Sequence, residues 1–459
     1  MALESDAGLV SQLNHHCWGT EMSDLTRRAF LGTGVGLGGA AAGFPLHADD
    51  ATAAKPAPST AAAAYIPRTP TADKPLRLAA INSIYRFRSH AYHIVGRFIH
   101  GYRQDGLTRH PPVRVVRMFN DQYPANDLSR RDAPRYGFTL CDTPEQTLGE
   151  KGGLDVDGVL LIVEHGDYQR NARGQILYPR YELFEKVVQV FRKAGRVVPV
   201  FIDKHFSWDA ERAHQMYAWA RELGIPLLAG SSLPVTFRLP EVEPPVETPF
   251  TEGVATFGYE NDVVEIYLFH ALETLQVMME RRTGGETGVK RIRCLLGDAV
   301  FKAGDEGQFS WELVEAALSR CPTNNVGSIR DNVVKPLGLF IEYRDGTKAA
   351  VFNLIEQSFD LAFGGRVRGV KEPVSCCMFL PGPPRARFFD PLSHHIAELM
   401  LTGRPNYPVE RTLLTTTLCD LAHRSLEQGG TWIESPLLDV RYQPPVSSGF
   451  FRGPFTDRI

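Results

Sequence analysis

Three stretches of this chain place chemistry-bearing side chains directly after apolar, β-branched runs. Asp203-Lys204-His205 follows Val197 to Ile202. Glu164-His165-Gly166-Asp167-Tyr168 follows the run Gly158-Val159-Leu160-Leu161-Ile162, and Asn120-Asp121 follows Val113 to Phe119. Runs of this kind read as strands covered on both faces. Ligands of open parallel sheets bind beyond the carboxyl ends of the strands, so all three stretches belong to one rim. An acid at the end of the second strand is positioned for ribose hydroxyls, which makes Asp121 a candidate. His165 and Asp167 could act as catalytic groups, hold a metal or replace a turn; no third ligand stands at a fixed spacing. His270, in Tyr267-Leu268-Phe269-His270-Ala271-Leu272-Glu273, lies on a helical pattern, where a lone His is most often a packing residue.

The elements that must position these residues are legible in order. Leu76 to Ile81 is the first strand, and Asn82-Ser83-Ile84-Tyr85-Arg86-Phe87-Arg88 leads into a helix containing His90. Tyr181 to Phe191 is an amphipathic helix before the strand Val197 to Ile202. Ser207 is then a plausible N-cap, Ala213, Met216, Tyr217, Ala220 and Leu223 share one helix face, and Gly224 ends it. Ile225 to Ala229 supplies the next strand. After Pro234 a Pro/Glu-rich loop leads to a second αβ region. There Gly338 to Tyr343 and Ala349 to Ile355, joined by Arg344-Asp345-Gly346, read as a hairpin with a D-G turn.

Composition sets bounds. The chain has 459 residues, 43% hydrophobic and 22% charged, enough for two domains. A net charge of -3 gives no overall basic field for nucleic acid, and pairs such as Arg86/Arg88 and Arg130/Arg131 read as solvated faces. Seven cysteines occur without any C-x-x-C, and adjacent Cys376-Cys377 suits a buried strand.

The N-terminus reads as an address. Thr26-Arg27-Arg28-Ala29-Phe30-Leu31 and the Gly/Ala-rich run from Gly32 to Phe44 resemble a twin-arginine export signal. The run is too short and glycine-rich to span a bilayer, so no integral membrane protein is expected. Met22 offers a second start for the same signal. Residues 1–47 form the signal region, and the Ala/Pro/Thr-rich residues 48–74 a linker. The expectation is a periplasmic or extracytoplasmic protein that meets the twin-arginine machinery after folding.

The βα unit around Ala194-Gly195-Arg196 and Asp203-Lys204-His205, the strand Asp157 to Ile162 and the His270 helix resemble the glucose-fructose oxidoreductase / inositol dehydrogenase (Gfo/Idh/MocA) family. The likeness spans roughly residues 76–435, as pattern more than as motif. It implies an α/β chain: a Rossmann-like doubly wound parallel sheet over residues 75–235, then an α+β substrate domain over 236–459. The second domain would carry an open, mostly antiparallel sheet with helices on one face. Lys204 matches the family's Lys beside the nicotinamide and the reacting hydroxyl, and Asp203 replaces the Glu before it. His270 matches the acid/base His of the family's D-x-x-x-H-x-x-D helix, and Glu273 the Asp after it. His165 falls where the family's backbone touches the cofactor. Asn82, Ile84 and Phe87 fall on the three glycine places of the phosphate loop. Asn82 tolerates a left-handed turn there, while Ile84 and Phe87 crowd the pyrophosphate seat. Arg86 or Arg88 would then be the phosphate partners.

The resemblance implies an oxidoreductase acting on a sugar or sugar derivative with a tightly held NAD or NADP. Lys204, His270 and Glu273 would be catalytic, and Asn82, Arg86, Asp121, His165 and Asp203 would lie against the cofactor. A buried Lys beside a cationic ring can work near neutral pH. The alternative is a non-redox carbohydrate-binding or glycoside-processing protein that keeps the fold without the usual dinucleotide seat. The expected partner is a small carbohydrate, with a homo-oligomer possible and no nucleic acid.

Overall fold

The computed structural model describes residues 64–71, 73–259, 264–382 and 385–453. The signal region and most of the linker lie outside them.

Six strands form one parallel sheet: β1 (Leu76–Asn82), β2 (Val113–Asn120), β3 (Thr139–Leu140), β4 (Gly158–Ile162), β5 (Val200–Asp203) and β6 (Leu227–Gly230). Their order is β3-β2-β1-β4-β5-β6, and every neighbouring pair is parallel. This is the doubly wound order, with its switch point between β1 and β4. Central strands are apolar on both faces: every residue of β4 is buried. The crossovers include helices α1 (His90–His100), α2 (Ser129–Tyr136), α3 (Pro144–Leu148), α4 (Arg180–Ala194) and α5 (Ala210–Leu223).

Boundaries moved where local hydrogen bonding outweighed pattern. Asp203 is the last residue of β5, not the first after it. The α5 N-cap is Asp209, whose side chain accepts from Arg212 N, while Ser207 accepts from Asp209 N at 3.3 Å. Asn82 takes no left-handed turn. It ends β1 and its amide donates to Asn120 Oδ1 at 3.0 Å; Arg88, at φ 64°, is the left-handed residue of that loop.

The second sheet has seven strands: β7 (Phe237–Leu239), β8 (Phe250–Phe257), β9 (Val289–Leu296), β10 (Leu337–Tyr343), β11 (Lys348–Asn353), β12 (Leu361–Val367) and β13 (Val374–Phe379). They run in the order β7-β13-β12-β8-β11-β10-β9, and only β8·β11 is parallel. The D-G hairpin is β10–β11, and Cys376 and Cys377 lie buried in β13.

The expectation of helices on one face is corrected. On one side, Ala255, Val351 and Ile341 join a core with α6 (Val264–Met279) and α11 (Glu410–Glu427). On the other, Val254, Phe352 and Phe340 pack with α7 (Asp298–Asp305), α8 (Trp311–Leu318) and α9 (Ile329–Asn332). The strands are apolar at successive positions, so each face needs its own cover. Helix α10 (Phe389–Thr402) returns to the first sheet: Phe389, Leu392 and Ile396 share a core with Leu76, Ala80 and Ile94.

Candidate active site

The strand ends β1, β4, β5 and β6 carry a cluster of buried charged and polar side chains. Lys204 follows β5, and its backbone N–H donates to Gly230 O at 3.0 Å. Its Nζ reaches Glu164 Oε1 at 2.9 Å. The other oxygen of Glu164 pairs with Arg180, which opens α4. Arg180 donates to His205 Nε2 at 3.2 Å, and that nitrogen is 3.4 Å from Glu265 Oε1 on α6. All five side chains are buried. Burial alone would raise the Glu164 pKa, but the Lys204 and Arg180 cations outweigh it and hold the carboxyl well below its usual range.

Lys204 (φ 62°) and His165 (φ 69°) both adopt the left-handed conformation, each just past a strand end. Non-glycine residues held there cost about 1–3 kcal/mol each, and such strain clusters at functional sites. The Glu164–Lys204 ion pair and the Lys204–Gly230 bond impose it at Lys204.

A second group forms around Ser231, the residue after β6. Its N–H donates to Glu273 Oε1 at 2.8 Å, its hydroxyl donates to Glu273 Oε2, and Oγ is 3.0 Å from His270 Nδ1. When Glu273 is ionised, the Ser231 proton is spent on it and Oγ accepts from His270 Nδ1–H. That fixes the tautomer and leaves Nε2 as the basic nitrogen. Nε2 has no partner among the described residues, and the ring keeps 11% side-chain exposure. Burial, then the Lys204 cation, holds His270 well below its usual pKa. Burial pushes Glu273 up to about 7. Phe269 packs against both His270, at 6.0 Å between ring centroids, and His205, at 5.3 Å, and so ties the His270 helix to the first-sheet cluster.

The remaining candidates line the same rim. Asp203 accepts from His90 at 2.7 Å, while its Oδ1 is buried without a partner. The His165 ring faces His90 at 5.3 Å between centroids, and burial lowers its pKa to about 4. Asp121 follows β2 and accepts the Tyr168 hydroxyl at 2.8 Å. Arg86 donates to Phe87 O at 3.2 Å. Gln122 and Asp167 exchange two hydrogen bonds of 2.9 Å, tying the loop after β4 to the loop after β2. His165 and Asp167 join no group of metal-ligand geometry among the described residues.

Arg180, Ser231, His90 and Glu265 were not among the sequence candidates. Arg180 and Ser231 adjoin strand or helix ends already marked, so position relative to those ends was the available signal. Glu265, which burial raises to about 7, stands one residue from the first Asp place of the D-x-x-x-H-x-x-D pattern, but its partner His205 lies sixty residues away in sequence.

The titrating groups predict a pH profile for stability. His270, His205, His165 and His93 are neutral when folded but take protons near pH 6.5 when unfolded, so each costs stability as pH falls below that value. Glu273 and Glu265 keep their protons to about pH 7 when folded but lose them near 4.5 when unfolded, so each costs stability as pH rises between those values. Four imidazoles outweigh two carboxyls below pH 6.5, giving a net rise with pH of about 1–3 kcal/mol per unit. Urea titrations from pH 5 to 8 should place the maximum at about pH 7; a maximum below about pH 5.5 would contradict these assignments.

The chain joins a 3-2-1-4-5-6 parallel sheet to a mixed seven-stranded sheet, a two-sheet fold it shares with solved structures. It is similar to GenD2 from gentamicin A biosynthesis, solved in complex with NAD, with 13% identity and a TM-score of 0.51 over 81% of this chain and 99% of that one. A probable dehydrogenase from Thermotoga maritima matches 80% of this chain and 100% of its own, at 13% identity and a TM-score of 0.48. The myo-inositol 2-dehydrogenase from Lactobacillus plantarum matches 79% of this chain and 99% of its own, at 11% identity and a TM-score of 0.47. No family model matches the sequence, and no curated protein matches it.

Proposed function

We propose an oxidoreductase-like protein that acts on a sugar or sugar derivative at the rim shared by Lys204 and His270. The observation that carries this reading is the Glu273–Ser231–His270 chain, which leaves His270 Nε2 free as a base within the field of the buried Lys204–Glu164 pair. His270 takes the proton of the reacting hydroxyl; Lys204 orients that oxygen; Glu273 and Ser231 hold the imidazole tautomer.

NAD or NADP is the proposed hydride acceptor, a role the nucleotide supplies when bound. The usual pyrophosphate seat does not fit it. Ile84 and Tyr85 are buried in the loop after β1, and Ser89 Oγ accepts from Arg86 N at 3.2 Å and Tyr92 N at 3.1 Å, so the α1 N-terminus is capped by its own chain. The side chains of Arg86 and Arg88 remain to hold phosphates. The filled seat favours a second reading, a non-redox carbohydrate-binding or glycoside-processing protein. Absorbance and mass spectra of the purified protein, followed by titration with NAD and NADP, separate the two. Co-purified nucleotide or saturable micromolar binding supports the first; sugar binding with no nucleotide response leaves the second.

The twin-arginine stretch supports export to the periplasm. Arg27→Lys with Arg28→Lys should hold the protein in the cytoplasm, and unchanged appearance in the periplasmic fraction would remove the proposal.

A further inference from the structure

A cavity of about 360 Å³ opens between α1, the short strand Tyr102–Gln104 and the start of α10. None of the strand-end residues described above lines it. Four guanidinium groups, Arg97, Arg103, Arg385 and Arg387, face one carboxylate, Asp390, an excess of three positive charges. The carbonyl end of α1 offsets only about half a charge.

The four arginines differ in what holds them. Arg97 is a structural clamp. Its Nε donates to Asp390 at 2.6 Å, Nη1 to His93 O at 2.8 Å, and Nη2 to Arg385 O at 3.1 Å and Ala386 O at 2.8 Å. It thereby fixes the 385–387 segment against α1. Arg387 shares Asp390 at 3.5 Å. Arg103 and Arg385 are exposed, and their side chains have no partner among the described residues.

Gly96 is an independent sign. It lies buried inside α1, where glycine costs about 1 kcal/mol relative to alanine. No steric reason demands it, since a Cβ there would meet nothing within 4 Å. The glycine keeps the cavity floor open. A concave, one-sign cavity concentrates counter-charge, and this volume falls within the range of small-molecule sites.

We propose that this cavity binds a small organic polyanion of sugar-phosphate size, with Arg103, Arg385 and Arg387 as its cationic partners. Calorimetric titration of the full chain at low ionic strength would use glucose 6-phosphate, the dicarboxylate glucarate, inorganic phosphate and neutral glucose. At least one organic dianion should bind, with glucose at least about tenfold weaker; which one binds distinguishes a phosphate ester from a carboxylate source. Arg103→Gln with Arg385→Gln, both on exposed side chains, should weaken binding by about tenfold or more. Gly96→Leu adds a good helix former and fills the floor, so it should abolish binding of the organic anion while the protein stays folded by circular dichroism. Three results would each overturn the proposal: glucose binding as well as the dianions, full affinity in both variants, or inorganic phosphate matching the organic anions in wild type and in Gly96→Leu, which means an adventitious ion only.

Discussion

Glu164→Ala should cost about 3–5 kcal/mol of stability, the largest effect of any single change at the rim. The carboxylate is buried and serves two cations at once, Lys204 on one oxygen and Arg180 on the other. Its removal leaves both positive charges in the interior with no anion between them. Lys204→Met is the contrast. It deletes one cation, keeps most of the buried stem, and leaves Glu164 paired with Arg180, so its cost should stay near about 1–2 kcal/mol. Urea unfolding of the two variants measures the difference. If Glu164→Ala lies within about 1 kcal/mol of wild type, the ion cluster is not a feature of the folded protein.

His270→Ala should lower turnover by a factor of about 10²–10⁴ with little loss of stability, once a sugar substrate is in hand. The two effects separate because of how the ring is held. Ser231 keeps both of its bonds to Glu273 without His270, so no buried donor or acceptor is stranded. Ser231→Ala acts through His270 instead. It frees the imidazole to change tautomer, so it should lower the rate less and alter its pH dependence. A His270→Ala protein with full turnover, or one that fails to fold, would make the histidine a packing residue.

Much of the fold was legible because burial on both faces writes itself as continuous apolar runs. Runs such as Gly158 to Ile162 mark central parallel strands, and polar residues directly after them mark the rim. Lys204, His165 and Asp121 were found that way. The second helix layer was not. Alternate residues of β8 and β11 face different helices, yet Val254 and Ala255, or Val351 and Phe352, are all apolar, and such a run does not say what covers each side. Asn82 was misread for a local reason: its side chain had a better partner in Asn120, across the β1–β2 pairing, than in its own turn. The pairing of Arg180 and Glu265 with His205 was not legible, because an ion chain assembled across two sheets has no spacing in sequence.

The end of β6 has a consequence for access to the rim. Ala229 O accepts from Tyr407 Oη at 2.8 Å and Thr412 Oγ1 at 2.6 Å, and Ser231 N donates to Glu273 at 2.8 Å. Gly230, at φ 131°, lies so close beneath these groups that a Cβ would come within 2.7 Å of Tyr407 Oη and 2.8 Å of Glu273 Oε1. Swinging the two sheets apart would strand these buried groups, at about 1–3 kcal/mol for each one left unsatisfied. The protein therefore has no cheap hinge at β6. The looser part of the rim is the loop around Asp167 and Tyr168, whose ties to Gln122 and Asp121 are exposed to water and can be exchanged for it one at a time.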